Sequence, residues 1–295
     1  LPREIDIMPR ALIAGCGYLG QTLAELLAAE RWEVEGWTMS AESAHQLASK
    51  GHRAIGVDIS KLDQVRSHVG NFDIVIHCAS TRGGDVDLYR RVYLEGAGNL
   101  LKCFPNSRIL FTSSTSVYPQ VNGEWVTEAS PAEPQHETGK ILRKAERLVL
   151  PARGVVARLG GIYGPGRSAL LHKFLEGRAV IDPDDDRFVN QIHRDDAAAA
   201  MQLLVKAPTT AGEIYNVVDD QPIWLNECYR WLSAKLNRPV PLAGKSTSRR
   251  KRGESNKRVS NSKLKSIGWS PRYPTFAAGM EISVLPALAG DGPDG

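Results

Sequence analysis

An apolar run, Ala11-Leu12-Ile13-Ala14, breaks into Gly15-Cys16-Gly17-Tyr18-Leu19-Gly20, and leucines then recur at Leu19, Leu23, Leu26 and Leu27. Few patterns restrict a fold as tightly. A buried strand stops in a glycine turn, and an amphipathic helix starts at once and ends near Glu30-Arg31. Each glycine has its own task in such a turn. Gly15 permits the tight bend, Gly17 lets a pyrophosphate approach the backbone, and Gly20 lets helix and strand close on each other. The helix N-terminus then offers N–H groups and the positive end of its dipole to phosphate oxygens. Between a strand and a helix, this spacing predicts a dinucleotide site at Gly15, Gly17, Tyr18, Leu19 and Gly20. A purely structural turn is the competing reading.

The rest of the chain alternates in the same manner. Strands are expected at Glu33–Thr38, Arg53–Asp58, Phe72–Ala79, Arg108–Ser114 and Val155–Leu159. Helical patterns fall at Ala41–Lys50, Leu88–Cys103 and Gly139–Leu150. The fourth strand is apolar almost throughout, as a strand covered on both faces should be. Strands alternating with helices predict an α/β fold with a doubly wound parallel sheet of the Rossmann type. Past Gly164 the alternation loosens into a turn at Pro183–Asp186, helices at Asp195–Val205, Asn226–Leu236 and Thr275–Leu285, and a strand at Ile214–Val218. The expected organisation is a dinucleotide domain over 8–163, with strands returning to it from 188–218. A smaller substrate lobe over 164–289 and a frayed tail at 290–295 complete it. Met8 is the first methionine, and Leu1–Ile7 reads as an upstream extension or as a remnant of expression.

Bulk properties narrow the function class. A net charge of +4 over 295 residues demands no polyanionic partner. No apolar run is long enough to span a bilayer, and Leu1 to Arg10 contains acids and no apolar signal region, which predicts a cytoplasmic protein. Cys16, Cys78, Cys103 and Cys228 have neither CxxC nor metal-ligand spacing, so no metal is expected. The basic run Arg249-Arg250-Lys251-Arg252, with Lys257 and Arg258 beyond it, reads as a surface loop before a diphosphate contact, and nucleic acid ranks last. Asp184-Asp185-Asp186 lacks a calcium-loop pattern and reads as a solvated turn.

Several further segments carry a resemblance. Cys78-Ala79-Ser80 follows the fourth strand, Thr112-Ser113-Ser114-Thr115-Ser116-Val117-Tyr118-Pro119 ends the fifth, and Arg158-Leu159-Gly160-Gly161-Ile162-Tyr163-Gly164-Pro165-Gly166 ends the sixth. Asn190-Gln191-Ile192-His193-Arg194-Asp195-Asp196 and Tyr215-Asn216-Val217 come after them in order. In these motifs the chain resembles the extended and atypical short-chain dehydrogenase/reductases, the NAD(P)-dependent epimerases and dehydratases, over nearly its whole length. The resemblance implies NAD(P), a hydroxyl or carbonyl carbon as reacting centre, and a nucleotide-linked sugar as the substrate class. It also implies a homodimer packed through the helices near Leu88–Cys103 and Gly139–Leu150. Its catalytic Tyr-x-x-x-Lys is not intact, because His136-Glu137-Thr138-Gly139-Lys140 has histidine where tyrosine belongs. A non-catalytic NAD(P) sensor or scaffold is therefore the rival class.

The resemblance assigns candidate roles by position. Ser114 would hold the substrate oxygen, Lys140 the nicotinamide ribose, and His136 would be a substitute acid/base. An imidazole needs less tuning than a phenol to exchange protons near neutrality. The competing reading makes His136 a loop residue before a helix capped by Thr138. Tyr118 and Tyr163 are weaker candidates for the missing phenol. Asn190, His193 and Asp196 fit a hinge, with Asp195 or Asp196 capping the next helix, and Arg167 fits an anionic substrate or solvent. On the cofactor side Asp58 ends the third strand with Ile59 next, Ala79 ends the fourth with Ser80 next, and Ile162 follows the sixth. The second strand ends in Thr38-Met39-Ser40 with no carboxylate before Glu42, which tilts the choice from NAD toward NADP.

Overall fold

The computed structural model of the protein describes residues 8–81, 83–245 and 255–290. The basic run Arg249–Arg252 and residues 291–295 of the expected tail lie outside the described residues.

Thirteen strands form among the described residues. β1 (Arg10–Ala14), β2 (Glu33–Thr38), β3 (Ala54–Gly56), β4 (Ile74–His77) and β5 (Arg108–Ser114) come first. β6 (Glu124–Val126), β7 (Val155–Leu159), β8 (Gly161–Tyr163), β9 (Phe188–Val189) and β10 (Gln191–His193) follow, then β11 (Ile214–Val217), β12 (Ile223–Trp224) and β13 (Lys257–Val259). Seven of them make one sheet in the order β3-β2-β1-β4-β5-β7-β11. It is the parallel, doubly wound sheet that the alternation predicts, with β1 paired in parallel to both β2 and β4. Strand order reverses between β1 and β4, and open α/β sheets bind ligands outside the carboxyl ends of their strands at such a reversal.

The helices are α1 (Tyr18–Ala29), α2 (Ala41–Ala48), α3 (Leu62–Arg66), α4 (Val86–Tyr89), α5 (Gly96–Cys103), α6 (Glu137–Val149), α7 (Ala169–Leu175), α8 (Arg194–Lys206) and α9 (Leu225–Lys235), followed by the short α10 (Ser262–Ser266), α11 (Phe276–Gly279) and α12 (Leu285–Gly290). A π-turn, Arg90–Glu95, joins α4 to α5, so the helix expected at Leu88–Cys103 runs from Val86 with one wide turn inside it. Asp85 sets its start by accepting the Leu88 N–H at 2.8 Å. A second π-turn, Met280–Val284, splits the last expected helix. β3 is shorter than expected because Asp58 leaves the strand to accept the Ser60 N–H and hydroxyl.

The chain divides into two compact units, one built from Leu1–Ser113, Lys140–Ala157 and Ala198–Ile214, the other from Ser114–Gly139, Arg158–Ala197 and Tyr215–Gly295. In the first, Leu12 and Ile13 of β1, Ile74 to Ile76 of β4, and Leu23 and Leu27 of α1 are buried together. Each such side chain contributes about 2 kcal/mol of transfer free energy. α6 is pinned to the end of β5 by Glu146, which is wholly buried and accepts the Ser113 hydroxyl at 2.6 Å and an N–H of Arg143.

The second unit has its own core of Tyr163, Leu171, Phe174, Ile181, Tyr229, Leu232, Phe276 and Met280. Its short strands pair as β10 with β8, β12 with β9 and β13 with β6. The last pairing removes Lys257 and Arg258 from the expected solvated basic face. Lys257 is buried, donates to Ser255 Oγ at 2.8 Å, and is lowered by desolvation to about 8. Arg258 donates to the Gly123 carbonyl and lies over the rings of Trp125 and Phe188, at 5.2 Å and 5.1 Å.

Candidate functional site

At the strand-order reversal the glycine turn after β1 presses on the turn after β4. Gly15 has φ +100°, and a Cβ placed there would stand 2.2 Å from the Ala79 nitrogen and 2.6 Å from the Cys78 carbonyl carbon. Only glycine fits. The Gly15 and Cys16 N–H groups are held by the Trp37 carbonyl of β2, at 2.9 Å and 2.8 Å. Gly17 differs: a Cβ there meets nothing within 4 Å. It is the N-cap of α1 and offers no side-chain cap to the first helical turn. At Gly20 a Cβ would come 2.9 Å from the Gly15 carbonyl oxygen, so this glycine seats α1 on the loop. Leu19 is buried beneath the helix start.

Around this turn the other cofactor candidates take fixed positions. Thr38 Oγ1 donates to the Ser40 carbonyl at 2.8 Å, and Ser40 Oγ caps α2 by accepting the Ser43 N–H. Asp58 is half-buried, its Oδ1 engaged by Ser60. Ile59 is buried, and its carbonyl accepts Asn99 Nδ2 at 2.9 Å. Ala79 is half-buried and Ser80 exposed. Ile162 lies in β8, paired in register with Ile192.

Lys140 is in the first turn of α6, on its exposed side with Lys144 and Arg147, while Ile141, Leu142, Ala145 and Glu146 form the buried side. α6 starts at Glu137, two residues earlier than the pattern suggests.

The earlier start is His136's doing. Its Nδ1 accepts the Gly139 N–H at 3.0 Å, and the Thr138 hydroxyl is 2.9 Å away. An accepting Nδ1 leaves the proton on Nε2, which points at the Ser116 carbonyl at 3.2 Å. The ring covers the Gly139 Cα so closely that a Cβ would stand 2.6 Å from His136 Cε1. His136 therefore works as a helix cap in this structure, in the place that sequence reasoning gives to Thr138. Ser114, by contrast, is half-buried, its Oγ accepts the Ser116 N–H at 3.2 Å, and no acceptor for its own proton occurs among the described residues.

Neither alternative tyrosine offers an accessible phenol. Tyr118 is wholly buried, donates to Asn216 Oδ1 at 2.8 Å and accepts from Arg158 at 2.8 Å, and burial raises its pKa. Tyr163 is buried against Gly279, hydrogen-bonds the Thr275 carbonyl, and is pushed up by desolvation. Arg167 is exposed, and its backbone closes a turn with Gly164.

The 190–196 segment is structural, as expected, but with different contacts. Asn190 bridges β13, accepting the Val259 N–H and donating to the Lys257 carbonyl. Asp196 accepts the N–H groups of Arg272 and Tyr273 instead of capping a helix. The cap of α8 is His193, whose Nδ1 accepts the Asp195 N–H at 3.2 Å while Nε2 faces Ser283 Oγ at 3.0 Å. Desolvation lowers this imidazole to about 4. The unfolded chain, with a histidine near 6.5, takes up the proton first as pH falls. The stability this neutral ring contributes is thus present above about pH 6.5 and lost toward pH 4, on the order of 3 kcal/mol in full. Melting curves between pH 7 and 4.5 should fall more steeply for the wild type than for His193→Asn, which keeps an acceptor but does not titrate. Parallel curves would discard this assignment.

The parallel sheet and its strand order agree with what the comparisons return. The sequence model for the NAD dependent epimerase/dehydratase family matches residues 11–217. The chain belongs to that family. Protein YeeZ of Escherichia coli K12 is 32% identical over 226 residues, 71% of this chain and 77% of YeeZ. A Methylobacillus flagellatus protein, provisionally named an NAD-dependent epimerase/dehydratase, is 30% identical. Its structure superposes with a TM-score of 0.78 over 96% of this chain and 99% of that one. UDP-glucose 4-epimerase of Thermus thermophilus, solved with NAD, shares the fold at 21% identity, with a TM-score of 0.80 over 95% and 99% of the two chains. For this family member no cluster of metal-ligating side chains occurs among the described residues, and none of their helices is long and apolar enough to cross a membrane.

Proposed function

We propose that this family member binds NAD(P) at the Gly15–Gly20 turn and exchanges a hydride between the nicotinamide and a hydroxyl or carbonyl carbon of a small molecule. The observation that carries the reading is the contact of Gly15 with Ala79 at the strand-order reversal, beside a helix start that no side chain caps. The pyrophosphate rests on the N-terminus of α1 at Gly17, Tyr18 and Leu19. The loops Asp58–Ile59 and Ala79–Ser80 flank the adenosine, and Ile162 belongs to the nicotinamide end. When bound, the cofactor would supply or accept the hydride. Ser114 orients the reacting oxygen through a hydrogen bond from its hydroxyl, and a bound water passes the compensating proton to or from that oxygen. A nucleotide-linked sugar is the substrate class, in line with the UDP-glucose epimerase likeness.

NADP is the preferred form, since β2 ends at Thr38 and Met39-Ser40 follow it without a carboxylate. Fluorescence titration should show NADPH binding more tightly than NADH, and a clear NADH preference would reverse this choice. The four cysteines, all free thiols, fit a reducing cytoplasm. Exposed Val86 and Leu148 fit a homodimer through the helices that carry them, which light scattering would detect.

Turnover separates this reading from its rival. Ser114→Ala should lower kcat for the responsive nucleotide sugar at least about a hundredfold and leave the NADPH Kd unchanged, whereas His136→Asn, which keeps a cap, should retain activity. Collapse of activity in His136→Asn with cofactor binding intact would restore the imidazole as acid/base. The engaged His136 and the buried Tyr118 and Tyr163 favour the second reading, a dinucleotide sensor without turnover. NADPH binding with no hydride exchange across a panel of nucleotide sugars would select it.

A further inference from the structure

Two loops of the first unit are gripped by one helical run, and one of the grips is costly. His77, the last residue of β4, is wholly buried. Its Nε2 is 2.9 Å from the carbonyl of Val92, inside the π-turn Arg90–Glu95. A carbonyl only accepts, so Nε2 carries the proton and Nδ1 is a bare acceptor. That Nδ1 is buried without a hydrogen-bond partner. Such an orphan costs about 1–3 kcal/mol, which an apolar side chain would avoid. Behind the π-turn, Gly96 passes so close that a Cβ would stand 2.8 Å from Ile59 Cδ1 and 3.4 Å from His77 Nε2. One turn later Asn99, also buried, donates to the Ile59 carbonyl at 2.9 Å.

We propose that His77 and Asn99 are positioning residues, which set the spacing of the Asp58–Ile59 and Ala79–Ser80 loops around the adenosine half of the dinucleotide. The proposal rests on the assignment of those loops to the adenosine under Proposed function. The helical run Val86–Cys103 holds the chain where it leaves β3, through Asn99, and where it leaves β4, through His77. The π-turn makes the second hold possible. In a regular α-helix each interior carbonyl is taken by the N–H four residues on. A wide turn disturbs that ladder and lets a side-chain donor reach a carbonyl from the side. Gly96 then keeps the helix near enough for both bonds. A residue kept only for packing would not carry an orphaned acceptor, so the imidazole is explained by its donor. The loop it steadies is the one against which Gly15 is wedged.

The test uses the full-length protein with ADP-ribose and its 2′-phosphate, which carry the adenosine half without nicotinamide, and reads Kd by calorimetry beside the melting temperature. His77→Leu and Asn99→Leu should each weaken the tighter of the two ligands about tenfold, equivalent to about 1.4 kcal/mol. His77→Gln returns an N–H donor near the place of Nε2 and should recover affinity to within about threefold. Val149→Ala, a cavity elsewhere in the same unit, lowers the melting temperature and should leave both Kd values unchanged. Wild-type affinity in both leucine variants overturns the proposal. So does a glutamine variant as weak as the leucine one, or an equal loss in Val149→Ala. Asp58→Ala tells the two failures apart. If it changes neither Kd, the adenosine assignment has failed; if it weakens binding and His77→Leu does not, only the positioning role has.

Discussion

Gly15→Ala abolishes dinucleotide binding and lowers the melting temperature, whereas Gly17→Ala weakens binding with little change in stability. The first substitution places a methyl group 2.2 Å from the Ala79 nitrogen, on a residue whose φ is +100°. The obstacle is backbone on both sides, and no flexible side chain can give way. Left-handed strain of about 1–2 kcal/mol adds to an overpacking cost of similar size, for a total of about 3 kcal/mol. In a protein of this size that lowers the melting temperature by roughly 5–10 °C. The second substitution meets no neighbour within 4 Å, so the fold is spared. Its methyl group instead occupies the space where a pyrophosphate would approach the backbone. Thermal melts and NADPH titration of the two variants check both halves, and full NADPH affinity in Gly17→Ala would remove the phosphate from this turn.

Glu146→Ala destabilises the first unit by about 3–5 kcal/mol, the range expected when one partner of a buried ion pair is removed. The carboxylate is wholly buried and takes hydrogen bonds from Ser113 and Arg143. Without it the Arg143 guanidinium and the Ser113 hydroxyl each lose one buried acceptor. Glu146→Gln keeps an acceptor for Ser113 and loses only the charge, so it should cost roughly half as much. Denaturant midpoints at pH 7 measure both. Equal, small losses for the two variants would mean that Arg143 finds solvent and that the pair does little to hold α6 on β5.

Much of the sheet was readable in advance. β2, β5 and β7 begin and end at the residues expected from sequence, and β7 shows the near-continuous apolar stretch of a strand covered on both faces. The glycine turn was equally legible. Its signal is local, set by the steric demands of one bend between a strand and a helix. The short pairs were not. β6 and β13 are far apart in sequence and only three residues long, so their partner exists only once the chain is folded. The π-turns escaped for a related reason, since a single wide turn leaves the helical periodicity on either side nearly unchanged.

The site residues divide along the same line. His136 and Lys140 stand four positions apart, and sequence alone cannot tell a pair on one helix face from a cap followed by an exposed lysine. The answer depends on where α6 begins, and that is decided by an imidazole accepting the Gly139 N–H. The chemistry of Tyr118, Tyr163 and His193 depended on burial, which turns a phenol or an imidazole from a proton carrier into a packed, hydrogen-bonded strut.

By itself, then, the sequence determined the doubly wound sheet, the family and the place of the glycine turn. Each of these follows from patterns that neighbouring residues impose on the backbone. The tertiary structure alone decided which polar side chains are already spent on holding the fold. His136, His193, Tyr118 and Glu146 are engaged, and the proton of Ser114 is not. Hydrogen-bond partners brought together from distant parts of the chain, and the water they exclude, set that division.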